Sequence, residues 1–273
     1  MLYPAEQAAT LPQQRFAAIR VSERGHLLTI TLDRPAQKNA LSPLLIRELA
    51  FALSYAHHER NVRAVVLEAA GDTFCAGADL KAFFGAAEAT DSSIPPEPGE
   101  ILPAELLRKV HRPVIARVQG DVFAGGFLLI CGAAYVVAAE TARFGLPEVK
   151  RGIWPMQVMA SLAEVMPPRK ALDFCLRART VLAPEALELG LATHVVPPDA
   201  LDGAVQGLAA ELCAQAPAAV RLGLQAFDEM RRKAPDEVHP YLRQMLQQVL
   251  LTRDAQEGIR AFAEKRKPVW TGE

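Results

Sequence analysis

The sequence predicts an α/β fold with parallel strands and a helical C-terminal region, and three observations support this prediction. Through the first 200 residues, short apolar runs typical of strands alternate with helical stretches, as in parallel βα units. Beyond them, amphipathic segments follow one another with no strand-like run between. The 273 residues are 51% hydrophobic and 22% charged, a composition that can build a large core. We therefore expect two regions, residues 1–200 and residues 201–273.

The N-terminal elements are predicted as an arm, a hairpin and a helix. Residues 1–15 are rich in Ala, Gln and Pro and predict a loose arm. Apolar and polar residues then alternate in 16–22 and 26–33, which is typical of two strands joined as a hairpin. Ser42 followed by Pro43 predicts the start of a helix, because Ser is a favoured N-cap and Pro a favoured first residue.

The middle of the chain is predicted to hold further buried strands with helices between them. Strands are expected at residues 62–68, 113–118, 135–139 and 191–196. Helices are expected directly after the glycines near residue 126, at 158–165, at 169–178, and from Thr180 and Pro184 to Gly190. Residues 85–103 are rich in Pro and Ser and predict a mobile surface loop, which is either a lid or an insertion without a role.

Four helices are predicted for the C-terminal region, at residues 201–215, 217–232, 235–251 and 254–265. Each has an apolar face that must be buried. We expect this region to pack on a core of its own or on another subunit.

Composition excludes several classes of function. The net charge of −1 gives no general attraction to nucleic acid or to an anionic membrane, so neither is expected as a partner. Residues 1–14 lack the basic and apolar stretches of a signal peptide. Cys75, Cys131, Cys175 and Cys213 are widely spaced, and the histidines show no metal-ligand spacing. We expect a soluble, cytoplasmic protein with reduced thiols and no bound metal.

Two glycine-containing turns are the candidate functional elements. One lies within residues 118–127 and contains Gly125 and Gly126, and the other lies within residues 73–81 and contains Gly77. Each follows a strand-like run, where a glycine is often only a turn residue but also lets a ligand approach the backbone. Backbone N–H groups from two such turns are able to form an oxyanion hole.

Five motifs, in this order, resemble those of the crotonase (enoyl-CoA hydratase/isomerase) family over nearly the whole chain. They are Leu32-Asp33-Arg34-Pro35 with Asn39-Ala40-Leu41, Phe74-Cys75-Ala76-Gly77-Ala78-Asp79-Leu80, Val118-Gln119-Gly120 with Ala124-Gly125-Gly126, Phe144-Gly145-Leu146-Pro147-Glu148, and Phe262-Ala263-Glu264-Lys265-Arg266-Lys267. The resemblance implies a spiral of ββα units with a C-terminal trimerisation region, and a homotrimer or a hexamer.

The resemblance also implies the ligand, an acyl-CoA thioester whose coenzyme A is part of the substrate, so that no separate cofactor is expected. The backbone N–H groups of Ala78 and Gly125 are implied to hold the thioester oxygen. Gln37, Lys38 and Lys81 are implied to approach the coenzyme. The remaining implied substrate-binding residues are Ala76, Asp79, Leu80, Gly126, Leu128, Trp154, Phe262 and Lys265. Phe262 and Lys265 are implied to reach a neighbouring subunit's coenzyme, although the basic stretch 264–267 also suits a solvated helix end.

The sequence departs from the hydratases of that family at one of their two catalytic glutamates. Leu128 occupies the first position, whereas Glu148 occupies the second. Adding water needs groups that activate water and protonate carbon, and two carboxylates divide that work. A single carboxylate beside an oxyanion hole suffices to move a proton from C2 to C4, which shifts a double bond. We therefore expect an enoyl-CoA isomerase with Glu148 as the base, whose pKa an apolar setting raises.

Several alternatives remain open at this stage. If it is not an isomerase, the chain is an atypical hydratase, a decarboxylase or thioester hydrolase, or a non-catalytic acyl-CoA-binding subunit. Trp154, Met156 and Met159 are expected to reshape the acyl pocket or to fill core. Asp121 differs from the family's usual aromatic residue, and we expect it to supply an acid near the site.

Overall fold

A computed structural model of the chain describes residues 2–88, 91–97 and 99–273. The strands are β1 (Ile19–Arg24), β2 (Leu27–Leu32), β3 (Ala64–Ala69), β4 (Thr73–Cys75), β5 (Val114–Val118), β6 (Asp121–Phe123), β7 (Tyr135–Ala139), β8 (Arg143–Gly145), β9 (Thr180–Leu182) and β10 (His194–Val196). The helices are α1 (Ala5–Ala8), α2 (Pro43–His58), α3 (Leu80–Phe83), α4 (Pro103–Lys109), α5 (Phe127–Ile130), α6 (Met156–Val165), α7 (Pro168–Arg177), α8 (Ala183–Glu188), α9 (Leu201–Cys213), α10 (Pro217–Met230), α11 (Pro235–Leu250) and α12 (Arg253–Ala263).

The strands form two sheets, and parallel pairing predominates in both. The large sheet has the order β1-β2-β3-β5-β7-β10, and the small sheet has the order β4-β6-β8-β9. Among the strands of the described residues, only the end pairs are antiparallel, β1 with β2 and β9 with β8. Each of β3, β5 and β7 is followed along the chain by a short strand of the small sheet. The predicted α/β fold with parallel pairing is thus confirmed.

The large sheet is buried on both faces, and a separate cluster of apolar side chains packs against each face. Successive residues of β3 point to opposite faces, so Val65 and Leu67 join the main core, whereas Val66 joins a second cluster. That second cluster contains Leu201 and Val205 of α9. Helix α9 therefore covers one face of the sheet and belongs to the core of the first 200 residues. The predicted boundary between residues 200 and 201 stays a prediction, with α9 as the element that crosses it.

Most predicted elements are confirmed. The hairpin is present, with Ile19 opposite Leu32. Ser42 caps α2, and its Oγ accepts a hydrogen bond from Leu45 N at 3.2 Å. The four C-terminal helices α9 to α12 also begin and end close to their predicted bounds. Among the described residues, no helix is long and apolar enough to span a bilayer.

Two local predictions are wrong, and one predicted helix is present but short. Thr180 begins strand β9 rather than a helix, because three residues pair antiparallel with β8, a long-range contact that no local period reveals. The buried helix after the second glycine turn is only the single turn α5. The N-terminal arm is docked rather than loose, since Tyr3 is 1% exposed and its N–H donates to Ser54 Oγ at 2.8 Å.

The predicted loop at residues 85–103 is attached to the core in the part that the structure describes. Ile94 is 7% exposed within the main core, and Ser93 Oγ accepts a hydrogen bond from Arg15 N at 2.8 Å. The prediction of a mobile loop also covers residues 89, 90 and 98, which lie outside the described residues.

Candidate active site

One cavity lies at the carboxyl ends of three neighbouring strands of the small sheet. Because β4, β6 and β8 are parallel, the turns that follow them meet at one edge. The cavity encloses about 240 Å³. It is lined by Ala76, Ala78, Leu80, Ala124, Gly125, Leu128, Pro147, Glu148, Arg151, Ile153, Trp154, Pro155, Met156, Gln157 and Val158. The structure thus brings together Ala76, Ala78, Leu80, Gly125, Leu128, Glu148 and Trp154 of the predicted residues.

The two glycine turns touch each other, and Gly77 makes the contact possible. Its φ is +105°, a conformation that side chains rarely adopt. A Cβ at Gly77 would lie 2.6 Å from Ala124 Cβ and 3.3 Å from Gly125 N. Only glycine therefore fits, and its absence of a side chain lets the first turn approach the second.

The backbone N–H of Ala78 is free to bind a ligand. Leu41 forms a parallel bridge with Ala78, in which Leu41 N donates to Gly77 O at 2.7 Å and Leu41 O accepts from Asp79 N at 2.8 Å. In such a bridge the central residue directs its own N–H away from the partner strand. Ala78 N has no hydrogen-bond acceptor among the described residues.

The backbone N–H of Gly125 is also free, because Gly125 lies at the start of a helical turn. Gly125 is the second residue of a 3₁₀ turn, Ala124–Gly126, and the first N–H groups of a helix lack partners inside it. Within the described chain, Gly125 N donates to no other group. A Cβ at Gly125 would lie 3.4 Å from Ala78 N, so the two N–H groups adjoin. Two unpartnered donors on one cavity wall form the kind of site that stabilises a developing oxyanion.

Arg34 and Asp79 hold the first turn in place. Arg34 Nη2 lies 2.8 Å from Asp79 Oδ2, and both side chains are largely buried. Arg34 Nη1 also donates to Ala40 O at 2.7 Å, while Asp79 Oδ1 accepts from Ala82 N. The hydrogen bond from Arg34 is the main reason that the pKa of Asp79 is lowered. Asp79, predicted to bind substrate, does not line the cavity and instead positions the turn next to Ala78.

Asn39 is a further support that the sequence analysis did not single out. Its side chain is fully buried, and its Nδ2 donates to Ala70 O at 2.8 Å and to Thr73 O at 2.7 Å. Asn39 Oδ1 accepts from Arg34 N. Asn39 and Arg34 both occur in the first motif, which was the only signal for them in the sequence.

Glu148 supplies a carboxylate to the same cavity. It begins the 3₁₀ turn Glu148–Arg151 that follows β8. Its Oε2 is buried and has no hydrogen-bond partner in the described part of the chain. Burial raises the pKa of Glu148, against the weaker opposing effects of its own backbone N–H and of Arg151. A half-buried carboxylate with a raised pKa and one unsatisfied oxygen is a stronger base than an ordinary glutamate.

No second carboxylate lines the cavity among the described residues. Leu128, on α5, is 6% exposed and forms part of the wall. The prediction that Asp121 supplies an acid near the site is wrong. Its carboxylate accepts two hydrogen bonds from Arg143, one of them from Nε at 2.9 Å, and it does not line the cavity. Asp121 begins β6 next to β8, and the exposed Arg143 of β8 pairs with its partly buried carboxylate.

Apolar side chains form the wall opposite the glycine turns. Trp154 and Met156 line the cavity as predicted, together with Ile153, which the sequence analysis missed. Met159 lies behind this wall, where its sulfur accepts a hydrogen bond from Trp154 Nε1 at 3.4 Å. Arg151 and Gln157 also line the cavity and were missed. Their only sequence signal was their position in the turn and helix after Glu148.

The predicted coenzyme-binding residues lie outside this cavity, and their role stays a prediction. Gln37, Lys38, Lys81, Phe262 and Lys265 do not line it. Phe262 is 87% exposed near the end of α12.

Gly126, predicted to contact substrate, also lies outside the cavity lining. A Cβ there would lie 2.8 Å from Cys75 O, so Gly126 serves close packing. In the described chain, no group of three or more His, Cys, Asp or Glu is arranged to hold a metal ion.

Comparisons with known proteins match nearly the whole chain. A sequence model described as "Enoyl-CoA hydratase/isomerase" matches residues 22–273. The chain is 38% identical over 259 residues to the enoyl-CoA hydratase EchA19 of Mycobacterium tuberculosis, with 91% of this chain and 94% of that protein covered. It is 34% identical over 261 residues to the carnitinyl-CoA dehydratase of Salmonella arizonae, with 93% and 98% covered.

Solved structures agree with these matches. The crystal structure of an enoyl-CoA hydratase from Mycobacterium tuberculosis has a TM-score of 0.83 and 33% identity, with 94% of this chain and 99% of that chain covered. An enoyl-CoA hydratase from Bacillus anthracis has a TM-score of 0.80 and 31% identity, with 94% and 100% covered. Every residue that lines the cavity lies inside the matched range.

Proposed function

The chain belongs to the enoyl-CoA hydratase/isomerase family, and we propose that it shifts the double bond of an enoyl-CoA thioester with Glu148 as its single base. The similarity to solved structures confirms the crotonase-type fold that the motifs implied. What remains to be assigned is the reaction within the family.

One observation carries this proposal. The unsatisfied carboxylate of Glu148 lines the same cavity as the free N–H groups of Ala78 and Gly125, and no other carboxylate lines it in the described residues. Leu128, which by the resemblance occupies the position of the hydratases' first catalytic glutamate, also lines the cavity.

The reaction follows from these positions. Glu148 removes a proton from C2 of a 3-enoyl thioester, and the electron pair moves through C1 to the thioester oxygen. Ala78 N–H and Gly125 N–H donate to that oxygen, and they bind the dienolate better than the neutral carbonyl because its charge is greater. The protonated Glu148 then returns the proton to C4, which gives the 2-enoyl thioester and restores the carboxylate. No second acid is required.

Hydration is the second candidate, and the names of the relatives favour it. A hydratase and a dehydratase are 38% and 34% identical to this chain. Glu148 would then have to activate water and deliver a proton to C2 by itself, two tasks that a pair of carboxylates ordinarily divides.

Decarboxylation, thioester hydrolysis and acyl-CoA binding without catalysis are further alternatives. Each of these reactions gives a different product from an acyl-CoA thioester, and binding without catalysis gives none, so product analysis distinguishes them.

The cavity also bears on the substrate. Its walls are mostly apolar, and a volume of about 240 Å³ suits a short or compact acyl group. The coenzyme would lie outside it, where Lys38 and Lys81 are candidates for phosphate contacts because a lysine binds phosphate as a flexible point charge. We further propose that the chain forms a homotrimer or a hexamer and that it is located in the cytoplasm.

The test is the identity of the product formed from 3-enoyl-CoA and from 2-enoyl-CoA by the purified chain. We expect 2-enoyl-CoA from the first substrate and little 3-hydroxyacyl-CoA from the second. Glu148→Gln should lower isomerisation by about 100-fold or more, the usual contribution of a general base, while acyl-CoA binding is retained. Glu140→Gln is the matched control, because Glu140 is exposed and does not line the cavity. Efficient hydration without isomerisation, or an unimpaired Glu148→Gln enzyme, contradicts the proposal.

A further inference from the structure

A second cavity, rich in basic side chains, is lined by residues near two strands of the large sheet. It encloses about 600 Å³ and is lined by His57, His58, Arg60, Arg112, Arg221, Gly272 and Glu273. His57 and His58 end α2, and Arg112 precedes the first residue of β5 by two positions. The cavity therefore lies at the amino ends of β3 and β5, and it shares no lining residue with the candidate active site.

Arg112 is a buried cation with unused hydrogen-bonding capacity. It is 7% exposed. Its Nη2 donates to the carbonyl oxygens of His57 at 3.4 Å and Glu59 at 3.2 Å, at the C-terminal end of α2. Its Nε is buried and has no partner among the described residues. A buried donor without a partner costs free energy, so an acceptor is expected there.

Arg221 adds a second positive charge close to the first. In the described part of the chain it forms no ion pair and no side-chain hydrogen bond. Burial and then the charge of Arg221 lower the pKa of Arg112 to about 10, and Glu59 opposes them. The two guanidinium groups therefore repel each other across the cavity.

Other charged groups relieve this repulsion only in part. Glu59 opposes it, while the carboxylate of Glu273, which lines the cavity, is also held by Arg253. Arg60 is already paired with Glu273. Burial is also the main cause that lowers the pKa of His57, so His57 is largely neutral near pH 7. The charge available to a ligand thus comes from Arg112 and Arg221.

We propose that this cavity binds a phosphate group, held by Arg112 and Arg221. A tetrahedral dianion neutralises both cations and offers several acceptor oxygens, one of which can satisfy Arg112 Nε. Guanidinium groups match phosphate oxygens in geometry and form charge-assisted hydrogen bonds with them. The phosphate is either free or esterified to a small molecule, and a cavity of about 600 Å³ has room for both.

The experiment is calorimetric titration of the full chain with inorganic phosphate and, separately, with glycerol 3-phosphate. The second probe is a phosphate ester without a nucleotide, and the Arg221→Gln variant separates binding in this cavity from binding at the coenzyme's own phosphate contacts. We expect saturable binding of at least one probe. Arg221→Gln should weaken it about tenfold or more, the value of one charge-assisted contact. Arg243→Gln is the matched control, since Arg243 is exposed on α11 and loses the same charge.

The outcomes separate the sources of the phosphate. Tighter binding of glycerol 3-phosphate identifies an ester as the ligand, whereas equal or tighter binding of inorganic phosphate identifies the free ion, and both support the proposal. Binding of neither probe below about 10 mM, or equal affinity in the two variants, overturns it. Thermal unfolding of Arg221→Gln, compared with that of Arg243→Gln, verifies that both are folded.

Discussion

Glu148 combines a role in chemistry with a cost in stability. Its Oε2 is buried without a hydrogen-bond partner among the described residues, and burial raises its pKa. A raised pKa means that the folded protein holds the proton more tightly than the unfolded chain does. Ionising Glu148 therefore weakens folding, while it creates the base that the proposed reaction needs.

This conflict predicts how stability depends on pH. Below the ordinary pKa of a glutamate, Glu148 is protonated in both the folded and the unfolded protein, so its ionisation does not change the free energy of unfolding. As the pH rises through the ordinary value and then through the raised value, the charge forms in the folded site and stability is lost. We expect Glu148→Gln to become progressively more stable than the wild type over this range, with a plateau above it. Urea unfolding at a series of pH values measures the difference.

Glu140→Gln serves as the control for this series, since an exposed glutamate should give a difference that changes little with pH. A stability difference for Glu148→Gln that falls with rising pH contradicts the raised pKa.

At the scale of single residues, the sequence predicts the residues that line the candidate site better than the residues that support them. Glu148, Ala78 and Gly125 stand in recognisable motifs, because a carboxylate or a small turn residue is visible in the sequence itself. The role of Asn39 depends on the carbonyl of Thr73, 34 residues away. The pairing of Asp79 with Arg34 spans 45 residues. Such contacts exist only once the turns are packed, so no local pattern predicts them.

At the scale of elements, the two glycine turns act as one unit. Gly77 brings the first turn against Ala124, and Gly125 leaves room beside Ala78 N. The two glycines differ in what a methyl group would meet. The contact at Gly77 is a steric overlap in a backbone conformation unsuited to alanine, whereas the contacts at Gly125 are ordinary van der Waals distances.

We therefore expect Gly77→Ala to lower stability and Gly125→Ala to lower activity. Gly77→Ala should lower the free energy of unfolding by more than about 2 kcal/mol, through overlap and backbone strain. Gly125→Ala should change it by less than about 1 kcal/mol. Its Cβ, 3.4 Å from Ala78 N, would nevertheless stand where the proposed function places the thioester oxygen. Isomerase activity should fall about 100-fold or more, as after loss of an oxyanion-hole donor.

Chemical unfolding together with the isomerase assay checks both variants. A Gly125→Ala enzyme with wild-type activity would show that the oxygen binds elsewhere. A Gly77→Ala protein of unchanged stability would contradict the contact between the turns.

The elements that the sequence predicts poorly share one physical feature, which is that long-range contacts fix them. Strand β9 exists because it pairs with β8. The N-terminal arm is ordered because Tyr3 packs edge-on against Phe51 at a ring-centroid distance of 5.0 Å. The long helices and the strands of the large sheet, by contrast, carry their own periodic pattern and are predicted correctly.

At the scale of the whole molecule, the parallel order of the small sheet creates the candidate active site. Strands β4, β6 and β8 lie side by side, and the turn after each one contributes to the cavity. The free N–H groups come from the first two turns and the carboxylate comes from the third. The alternation of strands and helices predicts parallel pairing, but it does not reveal the split into two sheets, because the strands of the small sheet have only three residues each.

The most direct test of the central claim is exchange of the C2 proton of a saturated acyl-CoA for deuterium in D₂O. This exchange needs both a base and enolate stabilisation, and it needs neither water addition nor a double bond. We predict that the wild-type protein and Glu140→Gln catalyse C2 exchange, followed by NMR or mass spectrometry, and that Glu148→Gln binds the same thioester without exchanging it. Exchange at the uncatalysed rate with the wild type, or undiminished exchange with Glu148→Gln, would contradict the assignment of Glu148 as the base.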